Sequence, residues 1–79
     1  MAFGPSPKQQ LTDLAQVLYP NSHIEVIGYR AKNRGGKKPP FIAQVNIDGR
    51  CRLTVSERDH RTAYKAAGIS LSRLAEPRD

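Results

Sequence analysis

Apolar residues recur at two different spacings along this chain, and the change from one to the other divides it into five segments. Leu11, Leu14, Ala15 and Leu18 fall at i, i+3, i+4 and i+7, one stripe of a helix. Ser6 can cap it, Pro7 suits the first helical position and Gln9 completes a capping box, while Tyr19-Pro20-Asn21-Ser22 stops it. The pattern predicts a helix over 7–19. Ile24, Val26, Ile27 and Tyr29 form a β-branched and aromatic run too short for a second helix, so a strand is expected within 23–32, with Tyr29 in the core. Two glycines and two prolines in Asn33-Arg34-Gly35-Gly36-Lys37-Lys38-Pro39-Pro40 predict an exposed loop.

From Phe41 the period becomes two. Phe41, Ala43, Val45 and Ile47 alternate with Ile42, Gln44 and Asn46, and after Asp48-Gly49 the alternation resumes with Cys51, Leu53 and Val55. This is a β-hairpin with two conceivable registers. A two-residue Asp-Gly loop pairs Ile47 with Arg50 and turns the arginines onto the apolar face. A type I turn through Ile47 and Asp48, with Gly49 left-handed, pairs Val45 with Cys51. The second is favoured because it keeps Cys51, Leu53 and Val55 in the core and Gln44, Asn46, Arg50, Arg52 and Thr54 on the solvated face.

Ser56-Glu57-Arg58-Asp59 reads as a second capping box, opening a helix that runs to about 75. Ala63, Ala67, Ser70, Leu71 and Leu74 share its buried face, His60 lies at that face's edge, and Arg58, Arg61, Lys65 and Ser72 lie opposite. Ile42 and Ile69 fall on solvated faces and would mark a partner surface if they shared one patch. The fold expected is α+β, ordered α-β-β-β-α: a three-stranded antiparallel sheet with two helices on one face. A single domain over 1–79 is expected, with its core within 7–75.

Charge then narrows the function. Thirteen Lys and Arg against seven Asp and Glu give a formal +6, the electrostatic footprint of a nucleic-acid binder. Between Val26 and Arg52 the only acidic residue is Asp48, against Arg30, Lys32, Arg34, Lys37, Lys38, Arg50 and Arg52. Arg58, Arg61 and Lys65 form a second basic strip. Aromatic residues do not interleave with this charge as a single-strand stacking platform requires, so recognition of a duplex by backbone and shape is the better fit.

No catalytic, metal or cofactor motif accompanies the charge. His23 and His60 are two histidines far apart in sequence, and Cys51 is the single cysteine, which excludes an internal disulfide and suits a reducing compartment. The reading is non-enzymatic, with no cofactor and no metal. With no signal-peptide pattern and no apolar run of membrane-spanning length, a cytoplasmic or nuclear protein without a membrane partner is expected.

Pro7, Leu11, Thr12 and Asp13 resemble the opening P-x-x-x-L-N-E pattern of the double-stranded RNA-binding domain. The stretch from Lys37 to Val45 is similar to that family's loop into its second strand, and Thr62, Ala66, Ala67, Ser70 and Leu71 resemble the alanine-rich core of its last helix. The resemblance implies contact with duplex RNA at three regions. These are Gln9, Thr12, Asp13 and Gln16 on the first helix; Arg34, Gly35, Lys37 and Lys38 in the loop; and Arg58, His60, Arg61 and Lys65 at the start of the last helix. The chain departs from the family where Lys37 replaces a histidine and Asp59-His60-Arg61-Thr62-Ala63 replaces K-K-x-A-K. Degenerate members bind protein, so the alternative is a small viral or phage regulator or inhibitor, monomeric or homodimeric, whose partner is a protein or ribonucleoprotein. A shorter likeness, from Phe41 to Leu74, is to three-strand-plus-helix DNA-binding modules, which would place Gln44, Asn46, Arg50 and Arg52 on bases.

Overall fold

A computed structural model describes Gly4 and residues 6–32 and 39–75. Helix α1 (Pro7–Leu18) is followed by strands β1 (Ile24–Arg30), β2 (Phe41–Ile47) and β3 (Arg50–Glu57), then helix α2 (His60–Ala75). The strands form one antiparallel sheet in the order β1-β2-β3. Leu11 and Ala15 of α1 and Ala63, Tyr64, Ala67 and Leu71 of α2 close over Val26, Ala43 and Val45, so both helices cover the same face. The expected architecture is the observed one. No helix among the described residues is long and apolar enough to cross a membrane.

Helix α1 starts as its sequence predicts, with the Gln9 N–H donating to Ser6 Oγ at 3.2 Å. Only half of the capping box forms, because Gln9 Nε2 donates to Asp13 Oδ1 at 2.8 Å instead of turning back. The helix ends at Leu18, with Tyr19 as its C-cap.

The hairpin takes the two-residue Asp-Gly loop and not the favoured type I register that pairs Val45 with Cys51. Asp48 and Gly49 both have positive φ, 54° and 81°, so the turn is the two-residue kind that matches strand twist. Ile47 therefore pairs with Arg50 and Asn46 with Cys51, after which Val45 pairs with Leu53 and Ala43 with Val55. Arg52 is the extra residue of a β-bulge. Without it, Arg52 and Thr54 would face the core and Leu53 and Val55 would face water; one interrupted rung of the ladder restores the correct faces. Cys51 is thereby corrected from core to surface: it is exposed, with its Sγ 3.3 Å from Thr54 Oγ1.

Three other expectations change. Strand β3 continues through Glu57, which pairs with Phe41, so Ser56 is no cap; Asp59 caps α2 instead, its Oδ1 accepting the Thr62 N–H at 2.8 Å. Tyr29 has the opposite strand parity to buried Val26 and is 47% exposed on the helix-free face of the sheet. The buried face of α2 includes Tyr64 and Gly68, and Leu74 is exposed. Tyr64 reaches this face because Gly28 leaves it room: a Cβ on Gly28 would overlap the Tyr64 hydroxyl and come within 2.8 Å of Phe41 Cζ.

Candidate nucleic-acid interface

The site begins with Arg30. Strand parity sends its side chain to the helix side at the end of β1, where it meets Phe41, the cross-strand neighbour. The guanidinium carbon lies 5.8 Å from the Phe41 ring centroid, a cation–π distance. Its Nη1 donates to the Pro39 carbonyl at 3.0 Å and to the Arg58 carbonyl at 3.2 Å. One side chain thus ties the entry of β2 to the junction between β3 and α2. Arg30, one of the bases counted between Val26 and Arg52 in the sequence, is exposed but gives its Nη1 to the backbone of the protein itself. The signal available in the sequence was its parity with Val26, which placing Tyr29 in the core obscured.

Between these tied segments lies an open cleft of about 960 Å³, whose charged lining is mixed: Arg30 and Arg58 with Glu57 and Asp59. Asp59 shapes its floor as the α2 cap, and its carboxyl is held below the usual carboxylate range, first by the Thr62 backbone N–H and then by the Thr62 side chain. The cap leaves Arg58 just outside the helix and Arg61 in its first turn, both exposed, with exposed Lys65 one turn further on. His60 opens the helix. It is exposed, with its ring edge-on to Phe41 at 6.0 Å between centroids, so it is a cover for the Phe41 edge and not a packed core residue.

The first-helix set occupies one strip of α1, at positions 9, 12, 13 and 16. Gln9 is bonded to Asp13, the Thr12 hydroxyl donates to the Lys8 carbonyl at 2.9 Å, and Gln16 Nε2 lies 3.4–3.5 Å from the carbonyls of Tyr19, Pro20 and Ser22. By helical rotation this strip faces away from α2, since Pro7, Gln10 and Leu14 are the residues that border α2. The structure therefore gathers Arg58, His60, Arg61 and Lys65 at one end of α2 and leaves the α1 strip on a different wall. Arg34, Gly35, Lys37 and Lys38 lie outside the described residues.

The open face of the sheet carries Gln44 and Asn46. Gln44 Nε2 donates to Asn46 Oδ1 at 2.7 Å, and Asn46 Nδ2 donates to Glu25 Oε1 at 3.3 Å. Ile42 is on this face and Ile69 on α2, on the other side of the sheet, so the two do not share a patch. Among the described residues no three His, Cys, Asp or Glu side chains gather to hold a metal ion. No family model, curated protein or solved structure matches the chain.

Proposed function

We propose that this protein is a non-enzymatic module that holds duplex RNA through its phosphates, with shape and not base sequence as the thing recognised. The observation that carries the reading is the Arg30 clamp. It joins Pro39, where the glycine- and lysine-rich connection returns to the sheet, to Arg58, where the cationic turn of α2 begins. The entry of β2, which follows that connection in sequence, and the start of α2 are thereby held together. Phosphate contacts position a protein on a duplex without reading bases, and exposed arginine and lysine near a helix start suit that role. The reading of bases by the sheet is less well supported, because Gln44, Asn46 and Glu25 engage one another.

The test is fluorescence anisotropy with a duplex RNA of about 16–20 base pairs, competed by matched duplex DNA and by single-stranded RNA. Duplex RNA should win. Each of Arg58→Ala, Arg61→Ala, Lys65→Ala, Lys37→Ala and Lys38→Ala should weaken binding and lower the log-log salt slope by about 0.9 if it removes one phosphate contact. Equal binding to duplex DNA would move the assignment to a general duplex binder, and no binding at physiological salt would reject it.

A further inference from the structure

The second hollow of the molecule lies between the helices and has different chemistry. A groove of about 530 Å³ runs between α1 and α2 and opens to solvent along both. Leu11 and Tyr64 are buried in it, Leu14 is half-buried, and Ile69 stands on its wall 51% exposed. Gly68 is buried at its base, packed against Leu14 and Leu11, so that α1 and α2 approach closely there. Arg61 and Lys65 line the end nearest the start of α2; Arg61 also acts on the Asp59 carboxylate, whose pKa is lowered first by the Thr62 N–H and least by the Arg61 charge.

This combination selects an occupant. Small-molecule sites enclose most of their ligand's surface, whereas a groove open lengthwise between two helices accepts a third helix. From Arg61 to Ser72 the α2 wall is about 17 Å long at 1.5 Å per residue, room for about three turns of a partner. The wall is cationic at one end and apolar at Ile69, so the complementary helix is acidic at one end and apolar at the other. We propose that the α1–α2 groove docks an acidic amphipathic helix of a partner protein, with its carboxylates toward Arg61 and Lys65 and its apolar residues over Leu14 and Ile69. Arg61 and Lys65 serve phosphates too, so duplex RNA and such a helix exclude each other there; Ile69 belongs to the groove alone.

The probe is a fluorescein-labelled peptide of about 18 residues, five helical turns, with leucines at i, i+3, i+4 and i+7 and glutamates flanking them. Controls replace every glutamate by glutamine or every leucine by serine. The wild-type protein should bind the probe saturably. Binding should weaken about tenfold with Ile69→Asn, with the Arg61→Gln/Lys65→Gln pair, and with either control peptide. Amide shift changes in the wild-type protein should be confined to residues 7–14 and 61–72, a readout that needs no variant to fold. Absence of saturable binding, undiminished binding by Ile69→Asn, or shift changes centred on the open sheet face would overturn the proposal. Ile69→Asn should leave duplex-RNA binding intact, so the loss of one activity is distinguishable from the loss of the other.

Discussion

Adding a single methyl group at Gly28 should destabilise the protein, although glycine is a poor strand residue. In the unfolded chain alanine is the less flexible residue, and that alone favours Gly28→Ala by about 0.4–1 kcal/mol. The folded state works against it. The new Cβ would overlap the Tyr64 hydroxyl oxygen and approach both Phe41 Cζ and Tyr64 Cζ to 2.8 Å. Neither ring can swing away freely: Tyr64 is 7% exposed, and the two rings pack edge to face with centroids 5.5 Å apart. Overpacking of a closed site costs about 1–3 kcal/mol, so the net loss should be about 1–2 kcal/mol. For a domain of this size that is a drop in Tm of about 5–15 °C, read by circular dichroism during heating and checked by urea unfolding. Tyr64→Phe removes the overlapped oxygen but leaves the carbon contacts, so the Gly28→Ala/Tyr64→Phe pair should recover part of the loss in a double-mutant cycle. A neutral or stabilised Gly28→Ala, or a cycle with no coupling between the two positions, would refute the packing of Tyr64 over Gly28.

Stability should fall in acid through two carboxylates. Asp48 is held below its ordinary value of 3.8, chiefly by the His23 backbone N–H, and Asp59 likewise by the Thr62 N–H. A depressed folded pKa stabilises above the unfolded value and loses that contribution as pH drops from about 4 through the folded values, so Asp48→Asn/Asp59→Asn should flatten the Tm-versus-pH curve below about pH 4 while keeping both acceptors. The Tyr19 hydroxyl is buried without a hydrogen-bond partner among the described residues, so Tyr19→Phe should leave the packing unchanged and raise stability by about 1 kcal/mol, measured by urea unfolding; a loss of stability would mean that the hydroxyl has a partner.

The order of elements was legible because each segment's period, caps and breakers agree with its place in the fold. The Leu11–Leu18 stripe, the alternation after Phe41 and the alanine face of α2 all point the same way. The hairpin register was not legible, and for a definite reason. Turn chemistry favours Asp48-Gly49 as a two-residue loop, while facial alternation demands a register that this loop does not give. Weighing the two demands as rivals sacrifices the turn. The chain satisfies both by inserting Arg52 as a bulge, and a long, charged residue is one that can stand outside the ladder without loss. The same error carried Cys51 into the core, since its assignment followed from the register alone.

The candidate site illustrates the limit of counting charge. In the sequence Arg30 is one more base in a basic stretch, interchangeable with Lys32 or Arg34. In the fold its parity with Val26 and Gly28 puts it on the helix side of the sheet, with the guanidinium where two chain segments converge. Its guanidinium is used inside the fold, where it holds the carbonyls of Pro39 and Arg58 to the end of β1. Gln9 and Asp13, placed on one face as expected, are bonded to each other, which engages one of the two Gln9 amide donors and sets a carboxylate, repelled by phosphates, in that strip. The exposed cations at the start of α2 are held by no side-chain hydrogen bond of that kind among the described residues, and Arg61 only lowers the Asp59 pKa through its charge, which is why the proposed phosphate contacts are placed at that end of the molecule and not on α1.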